Sequence, residues 1–98
     1  MKQKDEQKRE EWLVYILRCS DGSFYTGATN CLEKRLMGHN RGTASKYTRS
    51  RRPVTLLATS VEMNKSGALR LEMKVKKVPK AKKIACLKSS RPESNISS

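Results

Sequence analysis

The chain has 98 residues, 36% of them hydrophobic, and a formal net charge of +13 at pH 7. That length sets one small domain with an economical core. It holds no run of about 18 apolar residues that would span a bilayer, and residues 1–10 hold no apolar stretch that would read as a secretory signal.

Cys19, Cys31 and Cys86 are odd in number and show no CxxC spacing. They argue against a structural zinc site or a disulfide framework and fit free thiols in a reducing cytoplasm. The charge is unevenly placed. The two ends, residues 1–11 and 89–98, carry five basic and five acidic residues, whereas residues 12–88 carry 17 basic residues against Asp21, Glu33, Glu62 and Glu72. All of the excess therefore falls on the part expected to fold, and a polyanion is its natural partner. A membrane surface is not expected, because no basic amphipathic helix with large apolar anchors is evident. Residues 1–11 and 89–98 are expected to be flexible tails around a domain at 12–88.

Trp12-Leu13-Val14-Tyr15-Ile16-Leu17 predicts a first strand and Phe24-Tyr25-Thr26-Gly27 a second, joined through Ser20-Asp21-Gly22-Ser23 as a hairpin. A two-residue turn at Asp21-Gly22 would put Tyr15 and Tyr25 on opposite faces. A five-residue loop, 19–23, would set Tyr25 opposite Leu17 and diagonal to Tyr15, on one face. Asn30 is the expected cap of a helix over 31–40, with Glu33 completing a capping box and Gly42 closing the far end. Residues 43–53 read as an exposed basic loop. Val54 to Val61 reads as a third strand. Ser66 is the expected start of a helix running to Val78, with Ala68, Leu71, Val75 and Val78 inward. Pro79 restarts a last helix with Ala81, Ile84, Ala85 and Leu87 on its buried side. This order predicts an α+β domain with a small antiparallel sheet.

Four candidate sites stand out. The segment 46–52 crowds Lys46, Arg49, Arg51 and Arg52 around Tyr47, a pattern that suits phosphates and a stacked base, or simply a solvated loop. His39 is the single histidine, one turn beyond Arg35 on the same helix. Glu72 reads either as a surface carboxylate paired with Lys76 or as the one carboxylate of a magnesium site. Tyr15 and Tyr25 occupy the two arms of the hairpin, where tyrosine is most often a packing residue.

Taken together, Leu13-Val14-Tyr15, then Tyr25-Thr26-Gly27, then Lys34-Arg35-Leu36 with His39, then Glu72, resemble the GIY-YIG nuclease superfamily and its small stand-alone bacterial members. Lys46-Tyr47-Thr48-Arg49 and Ala68-Leu69-Arg70-Leu71-Glu72 fit the same resemblance, which runs from Trp12 to Leu87. It implies a three-stranded antiparallel sheet flanked by about three helices. It implies metal-dependent hydrolysis of a nucleic-acid phosphodiester. Tyr15, Tyr25, Arg35, His39 and Glu72 would be catalytic. Glu72 would ligate a single magnesium, and Tyr47 and Lys76 would support the site. A tyrosine base would need its pKa of about 10 lowered by a nearby cation or metal. The sequence departs from the family pattern at Leu13, where the first motif opens with glycine, at Thr26, and at Ala28, where some relatives carry lysine. No asparagine near the C-terminus matches the one that closes some family sites.

The expected function is a magnesium-dependent, structure- or weakly sequence-specific DNA endonuclease, related to repair. The alternative is a nucleic-acid binding module with a vestigial site. DNA is favoured over RNA, either specificity is low or a protein partner supplies targeting, and a cytoplasmic monomer is expected. Duplex binding should be salt-dependent: with about five phosphates neutralised, log K should fall against log salt with a slope near −4.5. A flat response in a fluorescence titration from 50 to 300 mM salt (on the order of the Debye-screening range) would contradict this.

Overall fold

The β-branched, aromatic run after Trp12 forms strand β1, Leu13–Arg18. A computed structural model of the chain, describing residues 11–89, puts this strand at the centre of a three-stranded sheet. Strand β2, Phe24–Thr29, pairs antiparallel on one side, and β3, Thr55–Thr59, pairs antiparallel on the other. The strand order is β2-β1-β3. Four helices complete the described residues: α1 (Leu32–Arg41), α2 (Lys46–Arg49), α3 (Lys65–Lys77) and α4 (Lys80–Ser89).

Side chains alternate across a strand, so a central strand covered on both faces must be apolar throughout. β1 meets that demand. Val14 and Ile16 pack with Ala58, Ala68, Leu71, Val75 and Leu87. Tyr15 and Leu17 face the other way, with Cys19, Val54, Leu32 and Leu36. One face thus belongs to α3 and α4, and the other to α1. Full burial of each such side chain is worth about 1.5–3 kcal/mol.

The hairpin closes through residues 19–23, and Leu17 stands opposite Tyr25. Cys19 N–H donates to Ser23 O at 2.8 Å, and Gly22 takes a left-handed φ of 87° that a side chain would resist. Tyr15 and Tyr25 consequently share one face. Gly42 ends α1 at φ 91°, with its N–H on the carbonyls of Gly38 and His39.

Several local expectations are corrected. β1 begins and ends one residue later than expected, β2 continues to Thr29, and β3 is shorter at both ends. Asn30 does not cap α1; Cys31 occupies that position, and its N–H is taken by Thr29 Oγ1 at 3.0 Å. Residues 46–49 form a helical turn rather than loop, because Ser45 Oγ accepts from the N–H groups of Tyr47 and Thr48. Asn64, not Ser66, caps α3 by accepting from Gly67 N–H at 2.8 Å. On α4 the inward residues are Ile84 and Leu87, while Ala81 and Ala85 are exposed. Ile84 and Leu87 are one turn apart and carry more apolar surface, so they set the rotation of the helix. The tails at 1–11 and 89–98, apart from Glu11 and Ser89, fall outside the described residues. Among the described residues, no helix is long and apolar enough to cross a membrane.

One contact fixes the end of α1 to the start of the third strand. Asn40 Oδ1 accepts from Val54 N–H at 2.8 Å, and its Nδ2 donates to Val54 O at 3.1 Å. Asn40→Ala would orphan both groups of a buried residue and should cost about 1–3 kcal/mol in urea unfolding. Lys46→Ala, on the exposed surface, should stay within about 0.5 kcal/mol.

Candidate functional site

The sheet face under α1 collects the chemistry. Tyr15 projects from the middle of β1 and is 2% exposed. Its hydroxyl lies 2.8 Å from His39 Nε2. His39 is fully buried near the end of α1, and its Nδ1 lies 2.8 Å from Thr48 Oγ1. The rings of Tyr25 and His39 meet edge to face at 4.9 Å, and those of Tyr15 and Tyr25 lie 6.4 Å apart. Gly27 explains how the phenol fits. A Cβ there would fall 2.6 Å from Tyr15 Cζ and closer still to its hydroxyl. Residue 27 is therefore a glycine for space, not for backbone freedom.

Arg35 acts electrostatically on both members of this pair, and Glu72 on Tyr15. Burial raises the Tyr15 phenol well above its ordinary value; the neighbouring Tyr25 phenol and the Glu72 carboxylate add to the rise, and the Arg35 cation opposes it. Arg35 alone does not supply the lowering that a tyrosine base would need, because desolvation outweighs it. Burial likewise lowers the His39 imidazole, and Arg35 lowers it further. The site at neutral pH is a protonated phenol beside a neutral imidazole. Arg35 is exposed and, among the described residues, has no carboxylate partner. It lines an open depression with Thr29, Asn30, Cys31, Lys34 and Gly38.

Glu72 sits on α3 with its side chain 19% exposed, and Lys76 Nζ lies 3.1 Å from its Oε2. Lys76 also lines a shallow cleft with Phe24, Tyr25, Thr26, Tyr47 and Lys83. Among the described residues no group of three His, Cys, Asp or Glu converges. A cage made wholly of protein ligands is therefore not what this site provides. A single hard carboxylate, whose ion-pair partner Lys76 lines that cleft, is the kind of donor that suits magnesium, which keeps its waters and takes further oxygens from a phosphate. Glu72 is the residue that would hold it.

The basic segment divides. Tyr47 does not offer a free stacking face of the kind expected: its ring stacks with Tyr25 at 6.0 Å, and the Arg51 guanidinium lies 3.8 Å from its centroid. Arg51 is committed as well. Its Nε donates to Asp21 Oδ2 at 3.0 Å and its NH1 to Tyr47 O at 2.9 Å. Ser23, through its hydroxyl and N–H, holds the Asp21 carboxyl below the usual range, and Arg51 adds to this. Lys46, Arg49 and Arg52 are exposed. Arg49 and Arg52 border a separate open cleft with Asn40, Ser50 and Pro53, away from the tyrosines. Sequence reasoning passed over Thr48 and Asp21. The only signal for Thr48 was its place in Lys46-Tyr47-Thr48-Arg49, one turn beyond a serine able to cap.

A family model for the GIY-YIG catalytic domain matches residues 11–85. The chain belongs to the GIY-YIG family. Among similar proteins is a UPF0213 protein of Nitratidesulfovibrio vulgaris, 45% identical over 80% of this chain and 71% of that one. A UPF0213 protein of Xanthomonas axonopodis is 42% identical over 80% of this chain and 76% of its own. The solution NMR structure of a UPF0213 protein from Bacillus halodurans shares 44% identity, covers 74% of this chain and 77% of that one, and aligns with a TM-score of 0.46. Within this GIY-YIG domain, Tyr15 closes the first motif and Gly27 the second, and the pairing of β1 with β2 sets Tyr15 directly opposite Gly27.

The lowered imidazole has a consequence for stability. In the unfolded chain His39 takes a proton near pH 6.5; in the folded chain it does so only at lower pH. Below about 6.5 the unfolded state thus binds more protons, and stability falls with acid. The urea midpoint should drop between about pH 7 and pH 5.5, with a flatter response in His39→Asn. Equal slopes in the two proteins would show that the imidazole titrates alike in both states.

Proposed function

We propose that this protein is a magnesium-dependent phosphodiesterase that cuts nucleic acid, DNA in the first place, within the cytoplasm. The observation that carries the reading is the buried Tyr15–His39 hydrogen bond, with Tyr15 within the electrostatic reach of both Glu72 and an exposed Arg35 that has no carboxylate partner among the described residues. Membership of a nuclease superfamily supports the reaction class.

The residues divide the work as follows. A water attacking phosphorus must lose a proton. Tyr15 is too weak an acid to act as a phenolate, but its oxygen can accept that proton while its own passes to His39 Nε2. The imidazole is neutral and receives it at a cost, since burial and Arg35 both disfavour its charged form. Arg35 binds the non-bridging oxygens and offsets the charge that grows on them in the transition state. Tyr25 packs against His39 and walls the site. Magnesium held by Glu72 would stabilise negative charge on the phosphate and the departing oxygen. Lys76 pairs with Glu72 meanwhile and offers a cation to the cleft that it lines. Lys46, Arg49, Arg51 and Arg52 supply attraction for the backbone; for Arg51 this comes on top of its bonds to Asp21 and Tyr47.

Glu72→Gln should abolish magnesium-dependent cleavage of plasmid or branched DNA while leaving duplex binding intact or tighter, since one negative charge is removed. Arg35→Ala should reduce cleavage by about 10²–10³ and weaken binding far less. A binding module with a vestigial site would instead give no magnesium-dependent cleavage in the parent protein, and Arg35→Ala would behave as any loss of a cation. Equal cleavage by the parent and Glu72→Gln would remove Glu72 from the reaction.

A further inference from the structure

For His39 to take a proton at Nε2, its other nitrogen must carry the ring hydrogen. A neutral imidazole has one hydrogen to place, and the partners of its two nitrogens decide where it goes. We propose that Thr48 is a positioning residue that selects the Nδ1–H tautomer of His39 and so leaves Nε2 open toward Tyr15. The catalytic consequence rests on the phosphodiesterase reading; the tautomer assignment does not.

Thr48 lies on the single-turn helix α2 and is 0% exposed. Its Oγ1 is 2.8 Å from His39 Nδ1 and 3.4 Å from Ser45 O. A carbonyl only accepts, so Ser45 O, which also takes Arg49 N–H at 3.1 Å, can take the one hydroxyl hydrogen of Thr48 and leave a lone pair facing Nδ1. An acceptor at Nδ1 calls for a hydrogen there. Nε2 is then bare, and the Tyr15 phenol, held protonated by burial, donates to it. The bonds run in one direction: Tyr15 O–H to Nε2, Nδ1–H to Thr48 Oγ1, Thr48 O–H to Ser45 O. The opposite tautomer reverses the first two and takes the Thr48 hydrogen away from Ser45. It would also leave the Tyr15 hydrogen without an acceptor, since the Tyr15 hydroxyl has no second hydrogen-bond partner among the described residues. A buried donor left unmade is costly, so the first arrangement wins.

The same oxygen serves the charged state. When Nε2 receives the proton from Tyr15, both nitrogens become donors, and Nδ1–H already points at Thr48. The imidazolium forms without reorientation, as a preorganised site requires. Outer partners of this kind commonly set ring orientation at functional histidines, and losing one costs about 10–100-fold in activity.

The test uses the full chain labelled with ¹⁵N-histidine. Because His39 is the single histidine, long-range ¹H–¹⁵N correlations of its ring report one tautomer without ambiguity. Thr48→Val removes the hydroxyl at similar volume, and Thr48→Ser keeps it. Wild type and Thr48→Ser should show hydrogen on Nδ1 and a bare Nε2, and Thr48→Val should move population to Nε2–H. A wild-type spectrum with Nε2–H, or a Thr48→Val spectrum identical to wild type, would overturn the proposal. If the valine variant fails to fold, the wild-type and serine spectra still decide, since Nε2–H in either sinks it. In the cleavage assay Thr48→Val should lose about 10–100-fold in kcat with KM unmoved, and Thr48→Ser should recover it. Undiminished kcat in Thr48→Val beside an altered tautomer would overturn the catalytic role. No cleavage by wild type would overturn the hydrolytic reading, and the spectra would then judge Thr48 alone.

Discussion

A phenol hydroxyl sits in the middle of a strand that is apolar on both faces, and it has to be satisfied there. Tyr15 is taken out of water by its position on β1 and by the close approach of Gly27. A buried hydroxyl without a partner costs about 1–3 kcal/mol, so something must reach it. His39 does so from α1, and as a buried imidazole it needs a partner in turn. The helical turn at 46–49 supplies one in Thr48. Three segments far apart in sequence are thereby tied by the demand of one oxygen atom. Any catalytic use of these groups inherits a geometry that folding already enforces.

The scarcity of carboxylates shapes the surface as strongly. Only two ion pairs form among the described residues, Asp21 with Arg51 and Glu72 with Lys76. Exposed pairs of this kind contribute little to stability. Their value is in placement. One ties the hairpin loop to the segment carrying Tyr47 and Thr48. The other joins Glu72 to Lys76, which lines the cleft beside Tyr25 and Tyr47. Most remaining cations face solvent unneutralised, which favours a polyanionic partner over a compact, self-sufficient charge balance.

Much of this was legible in the sequence, for identifiable reasons. β1 and the hairpin could be read because β-branched and aromatic residues stop abruptly at Asp21-Gly22. The five-residue loop followed from asking which register lets Tyr15 and Tyr25 share a face. Positions on α1 and α3 followed from helical spacing. The caps were less readable: Asn30 and Ser66 are good cap residues, but Cys31 and Asn64 occupy the positions that the chain entry allows. The segment 43–53 was read as loop because its polar composition hides a single buried residue, Thr48. That residue is inward for the sake of His39, a long-range requirement that no local pattern expresses. The direction of the Tyr15 shift is not legible in the sequence either. A charge neighbour can be guessed from sequence, whereas the depth of burial that outweighs it belongs to the packed structure.

The segment between α1 and β3 is held at several points. Asn40 grips Val54 at its far end. Nearer its middle, Arg51 reaches Asp21, and Ser20 N–H donates to Arg51 O at 2.9 Å. Inside those moorings only Thr48 is buried, while Lys46, Arg49, Ser50 and Arg52 look outward. Such a segment separates two kinds of inheritance. The outward positions are free to vary at little risk to the hydrogen-bonded groups buried beneath. A lineage could retune its ligand preference by substitutions in these few surface positions and keep the buried chemistry intact.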